Sequence, residues 1–178
     1  MTTASPIIQQ ESTNPNLRRQ LFENAGLNAY AVLDGASNPA LLDHLYDDSE
    51  RPEFGCLYRG ELEPDMAECA PYLVRLEQGS KFTEWLIENC YGNHWGIFAT
   101  GRDDIQAMLR HFRKLNMVYD EERNGPLLFR FYDPRVLRKF MHVCDEEQAS
   151  DIFGTLQTYF AETGQDDGYL RFDRSPVV

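Results

Sequence analysis

Few side chains in this sequence are spaced for chemistry. Asp34 closes the apolar run Ala29-Tyr-Ala-Val-Leu-Asp34, and Asp133 opens Asp133-Pro-Arg135. A carboxylate at the end of an element can serve as a general base. It can equally hold a turn, and Asp34-Gly35 and Asp133-Pro134 are both local turn and cap signals. His44, His94, His111 and His142 are scattered, and His94 has no partner in the sequence that would make a metal site. His142 and Cys144 lie too close in sequence to form a nucleophile–base pair. Cys56, Cys69, Cys90 and Cys144 show no C-x-x-C spacing, so free thiols, mostly buried, are expected rather than zinc or redox chemistry. G-x-S-x-G, Walker, G-x-G-x-x-G and H-E-x-x-H patterns are all absent from the sequence. The residues therefore assign no catalytic, cofactor-binding or metal-binding role. A hydrolase using Asp34, His94 or Asp133 stands as the lesser alternative.

The basic residues stand out because the chain is acidic. Arg130, Arg135, Arg138 and Lys139 gather around one junction, and Arg110, Arg113 and Lys114 form a second group. Each group reads as a solvated helix face. The alternative is that Arg130 or Arg135 makes a fixed ion pair with Asp34 or Asp133, or docks an acidic segment, roles that suit the planar guanidinium.

The elements that would position these groups centre on Leu127–Met141. Alternating residues from Leu127 to Tyr132 predict a strand. Asp133 predicts an N-cap and Pro134 the first helical position. Val136, Leu137, Phe140, Met141 and Cys144 then follow helical spacing. Upstream, strands are predicted over Ala29–Asp34, Phe54–Tyr58, Pro71–Leu76 and His94–Ala99. Helices are predicted after Pro39, after Ser80, and over Ile105–Leu115, where Thr100-x-x-Asp103 resembles a capping box. Trp85 and Trp95 fall on regular apolar patterns and are expected in the core. Glu61–Ala70 reads as an irregular connection. Met117–Tyr119 and Leu127–Tyr132 read as a hairpin turned by Asn124-Gly125. Asp145 begins a further helix carrying Ile152, Phe153, Leu156 and Phe160, with Gly154 weakening its middle.

The fold expected is mixed α/β. An α/β lobe with a mixed sheet flanked by helices spans 26–133, and a small helical C-terminal lobe spans 134–162. A flexible arm over 1–25 precedes them, with Leu17–Ala25 reading as a short helix, and a tail over 163–178 follows, with Gly168–Phe172 reading as a last strand or an ordered tail.

The totals narrow the class. The 178 residues include 29 Asp and Glu against 17 Lys and Arg, a formal net charge of −12. That balance opposes nucleic-acid and anionic-membrane binding. No apolar run approaches the roughly 20 residues of a bilayer span, and the N-terminal residues lack a signal-peptide layout. A cytoplasmic protein is expected.

Five segments in order carry a resemblance: Tyr30-Ala-Val-Leu-Asp-Gly-Ala36, Ala70-Pro-Tyr-Leu-Val-Arg-Leu76, Trp95-Gly-Ile-Phe98, His111-Phe-Arg-Lys-Leu115 and Phe129-Arg-Phe-Tyr-Asp-Pro-Arg-Val-Leu137. Together they resemble the type VI secretion adaptor or effector-chaperone family, first catalogued as a domain of unknown function. The resemblance implies a bacterial cytoplasmic protein that binds a toxic effector, stabilises it and helps load it onto the VgrG spike, with no catalytic residue or cofactor. It also implies an α/β amino-terminal lobe followed by a mostly helical one. A chaperone of this kind needs an exposed apolar patch with a polar rim. The candidates are Phe140, Met141, Ile152, Phe153, Leu156, Tyr159 and Phe160, with Arg130, Asp133, Arg135 and Arg138 at the lobe junction; the competing expectation is that the apolar ones pack on the sheet. An immunity protein neutralising a toxin is the other alternative.

Overall fold

A computed structural model describes residues 7–47, 49–164 and 168–174. In chain order the elements are β1 (Ile7–Thr13), α1 (Asn14–Phe22), β2 (Asn28–Asp34), α2 (Leu41–Leu45), β3 (Phe54–Cys56), α3 (Pro64–Cys69), β4 (Pro71–Leu76) and α4 (Lys81–Asn89). There follow β5 (Gly96–Gly101), α5 (Ile105–Leu115), β6 (Met117–Asp120), β7 (Gly125–Leu128), α6 (Pro134–Val143), α7 (Glu146–Phe153), β8 (Leu156–Glu162) and β9 (Gly168–Asp173). A 3-10 turn over Gly35–Ser37 follows β2 directly.

Among the described residues, seven strands form one sheet in the order β1-β9-β8-β5-β2-β4-β3, and β6 and β7 form a separate two-stranded ribbon. Every strand pair among the described residues is antiparallel. The expected mixed sheet is therefore corrected. Strand–helix alternation suggested parallel neighbours, but the crossovers β2-α2-β3 and β4-α4-β5 each leave a place that an antiparallel strand fills: β4 lies between β2 and β3, and β2 lies between β4 and β5. The continuous apolar run Ala29–Leu33 still reads correctly as a strand buried on both faces. Its alternate residues separate: Tyr30 and Val32 join one core, and Ala29, Ala31 and Leu33 the other. Helices α5, α6 and α7 cover the first face through Phe112, Leu137, Met141 and Phe153, and α1, α2 and α4 cover the second through Leu17, Leu41 and Leu86. Burial of this kind is the main favourable term in such a fold.

The expected helical lobe over 134–162 is also revised. Helices α6 and α7 are present, but the chain then turns at Gly154, whose φ is 51°, and enters β8. Strand β8 sits between β5 and β9, so this segment completes the main sheet. Tyr159 and Phe160 face opposite cores, as strand neighbours must. The helical reading arose because Ile152, Phe153, Leu156 and Phe160 also fit a 3.6-residue period. Glycine is required at 154 twice over. The backbone angle is one L side chains rarely adopt, and a Cβ would lie 2.6 Å from the His111 ring.

Both ends of the chain hold more regular structure than an arm and a tail, and the short helix expected from Leu17 and the last strand expected at Gly168–Phe172 are present as parts of α1 and β9. Within the expected arm, residues 7–13 pair with β9 and 14–22 form α1; within the expected tail, 168–173 form β9. Residues 1–6 and 175–178 lie outside the described residues. Strand β7 stops at Leu128, short of the expected Tyr132: the Phe129 N–H still bonds the Asn116 carbonyl, and from there the chain turns into the core, where Phe131 and Tyr132 are buried. Helix α5 is capped by Asp104, which accepts from the Ala107 N–H, and Thr100 is a buried residue of β5 instead. Glu61–Ala70 contains α3, started by Pro64.

Candidate functional site

Residues 129–135 bring the end of β2 and the start of α6 together. Phe131 is fully buried and stacks on Phe112 of α5, ring centroids 5.5 Å apart and 7° from parallel. Tyr132 is buried beside it. These rings anchor the segment, and the polar residues between them reach the sheet edge. Arg130 Nη2 donates to Asp34 Oδ2 at 2.5 Å, and Asp34 also accepts from the Ala36 N–H and the Ser37 hydroxyl. The carboxylate is buried while the guanidinium is half in solvent.

Asp133 repeats the arrangement one step later. Its Oδ1 accepts from the Arg135 backbone N–H at 2.9 Å and from Nε at 3.0 Å, and its Oδ2 accepts from Nη2 at 2.8 Å. One side chain thus caps α6 and holds Arg135 in a two-pronged pair. Burial pushes the Asp133 carboxyl up, but the Arg135 hydrogen bonds outweigh it and hold the carboxyl below its ordinary value.

Glu162, at the end of β8, completes the corner. It is buried and accepts from the backbone N–H groups of Gly92 and His94 at 2.8 and 3.2 Å. The His94 Nδ1 lies 2.5 Å from the same carboxylate without hydrogen-bond alignment. The Glu162 carbonyl accepts from Arg138 of α6. Each of these acids is engaged by donors that fix a loop or helix end, an arrangement that positions backbone.

The apolar surface lies elsewhere. The ribbon pairs Met117 with Leu128, Val118 with Leu127 and Tyr119 with Pro126. Because strand neighbours alternate, Met117, Tyr119, Pro126 and Leu128 share one face and Val118 and Leu127 the other. Met117 is 51% and Tyr119 64% exposed, and Val118, Leu127 and Leu128 are also exposed. Two grooves run beside the ribbon. One, of about 410 Å³, lies between β6, α5, α6 and α7 and is lined by Val118, Leu115, Phe129, Phe140, Lys114 and Asp151 among others. The other, of about 830 Å³, follows the outer side of α6, past Val136, Phe140 and Val143, to Leu170.

The residues expected at a partner surface divide accordingly. Met141, Ile152, Phe153 and Leu156 are buried in the core that also holds Tyr159, and Phe160 is buried in the other. They pack on the sheet and offer no surface. Phe140 is half-buried and lines both grooves. Arg130, Asp133, Arg135 and Arg138 form the corner described above. Sequence reasoning missed Glu162, whose partners are backbone groups, and the exposed residues of the ribbon. A signal for the ribbon existed: Met117-Val-Tyr and Leu127-Leu are apolar at consecutive positions, which a strand with one solvated face avoids. Trp85 and Trp95 pack half-buried against the second core with centroids 5.3 Å apart, and His44 stacks on Trp85. Among the described residues, no group of three or more His, Cys, Asp or Glu is placed to hold a metal ion. No described helix is long and apolar enough to cross a membrane.

The family model described as Domain of unknown function (DUF4123) matches residues 29–151. The chain belongs to that family. The match runs from β2 to α7, so the DUF4123 segment holds the Arg130–Asp34 pair, the ribbon and all of α6, and the sheet is completed by β1, β8 and β9 from outside it. No curated protein and no solved structure matches the chain.

Proposed function

We propose that this DUF4123 protein is a non-catalytic adaptor of type VI secretion, which binds an effector in the bacterial cytoplasm, stabilises it and promotes its loading onto the VgrG spike. The resemblance of the five ordered segments supplies the biological setting. One structural observation supports it most: the β6–β7 ribbon is apolar on both faces and open to solvent. A two-stranded ribbon is marginal by itself, and exposed apolar surface of this kind favours a protein partner. The engaged acids of the corner fit a scaffold that presents the ribbon.

Co-expression with the effector and spike protein encoded beside it tests the reading. The chain should co-purify with the effector, and its deletion should abolish effector delivery. Absence of both effects would sink the proposal. Protection of cells from the toxin, with delivery intact after deletion, would indicate an immunity protein instead.

A further inference from the structure

Helix α6 has two apolar sides. Leu137 and Met141 face the core. Val136, Phe140 and Val143 recur at i, i+4 and i+7, which places them on one further stripe, and Val143 is 80% exposed. That stripe lines the groove along α6. Phe140 also lines the groove beside the ribbon, where its ring lies 5.1 Å from that of Phe129. The two grooves are therefore one apolar band, running from Val143 over Phe140 to Val118.

The charges along this band invert those of the chain. Arg138 and Lys139 line its α6 end and Lys114 its ribbon end, while Asp151 is the acid that lines it. The chain as a whole carries −12. His111 also lines the ribbon end, but burial lowers its pKa and its ring is bound to the Ile152 carbonyl, so it adds no fixed charge.

We infer that this band receives an apolar segment flanked by carboxylates, contributed by the client protein. The inference rests on the adaptor reading and names the surface and the partner chemistry. Apolar side chains of the segment lie on Val136, Phe140, Val143 and Val118, and its acids meet Lys139 and Lys114. Charge complementarity of this kind fixes orientation and partner choice. A second copy of the chain is the poorer occupant, because twofold pairing of the stripe on itself would set Arg138 and Lys139 near their own counterparts. An apolar floor is likewise unsuited to nucleic acid.

Two probes and two variants test this in the full chain. The probes are helical peptides of about 20 residues with the same leucine stripe, flanked by glutamates in one and by lysines in the other. The glutamate peptide should bind, and roughly tenfold more weakly to Val143→Glu and to Lys139→Glu. The lysine peptide should not bind. Both positions are exposed, so folding should be unaffected, and Met66→Glu on exposed α3 should bind as wild type. The same variants are then co-expressed with the effector, and Val143→Glu and Lys139→Glu should lose it while Met66→Glu retains it. Equal binding of the two peptides, binding of neither, or unchanged effector retention by both variants overturns the inference. So does a wild-type dimer that Val143→Glu converts to monomer in sedimentation. Binding of the glutamate peptide without any effector capture would uphold the band and sink the adaptor reading alone.

Discussion

Arg130 and Asp34 stand 96 positions apart in sequence and meet at 2.5 Å. The pair ties the segment leading into α6 to the end of β2. Its two halves are unequal: the aspartate is buried and the arginine is 45% exposed. The exposed half is screened, so the net value of the pair is modest. Removing one partner has a cost of its own, because it can leave a buried charge under-satisfied.

Arg130→Met should therefore destabilise by about 1–2 kcal/mol, since Asp34 keeps the Ala36 N–H and the Ser37 hydroxyl. Asp34→Ala removes the acceptor of all three bonds and should cost more, about 2–3 kcal/mol. Urea unfolding monitored by tryptophan fluorescence gives both values. Equal costs, or a larger cost for Arg130→Met, would refute the asymmetry.

Asp133 caps α6 through the Arg135 N–H and holds the Arg135 side chain. Asp133→Ala should cost about 1 kcal/mol as a lost cap. Arg135 lies mostly in solvent, so Arg135→Ala should cost well under that. The folded carboxyl titrates below its ordinary 3.8, so its contribution is whole above that pH and is lost as pH falls through the folded value. The stability gap between wild type and Asp133→Asn should therefore narrow in acid. A gap that holds constant down to the acid limit of folding would argue against the pair.

What could be read in advance was local. The Asp133-Pro134 start of α6, the Ser80 cap and the Asn124-Gly125 turn each depend on neighbouring residues, and each stands in the structure. Long-range features were harder. The sequence leaves Arg130 open to Asp34 or Asp133, because choosing among acids requires the fold. Glu162 carried no signal at all, since it serves two backbone N–H groups distant in sequence. The apolar spacing from Ile152 to Phe160 satisfies both the helical and the strand period, and the backbone at Gly154 separates α7 from β8.

That distinction is testable at Gly154. An alanine there meets a positive φ and the His111 ring together, and should cost about 2 kcal/mol or more. In a His111→Ala background the steric part disappears and the backbone part remains, so the two changes should be non-additive. A neutral Gly154→Ala variant would be incompatible with the turn into β8.

The four cysteines should differ in reactivity. Cys69 is exposed, Cys56 is half-buried, and Cys90 and Cys144 are buried. Burial pushes the Cys90 thiol up to about 12, against the opposing hydrogen bond with the Tyr169 hydroxyl. Since the thiolate is the reactive form, a maleimide should label Cys69 first and Cys56 more slowly. Cys90 and Cys144 should react only as the chain unfolds. Mass spectrometry of digested, labelled protein reads the order, and early labelling of Cys90 would contradict the packing of α4 on β9.

The His111 ring links α5 to the end of α7, with Nε2 2.9 Å from the Ile152 carbonyl oxygen. A carbonyl only accepts, so Nε2 carries the proton and Nδ1 is bare in the neutral ring. Burial is the main cause that lowers the His111 pKa from 6.5; the Ile152 bond opposes it, Lys114 adds to it, and Asp103 and Asp151 oppose it. Below that ordinary value the unfolded chain takes up a proton that the folded ring resists. The stability from a neutral His111 is thus complete above 6.5 and is lost as pH falls through the lower folded value. Urea midpoints should be lower at about pH 5.5 than at about pH 7.5, a window above most carboxylate titrations. His111→Asn should be less stable at the higher pH and should flatten the slope between the two. An identical slope in the variant would assign the pH response to another group and leave the His111 link between α5 and α7 without a role in it.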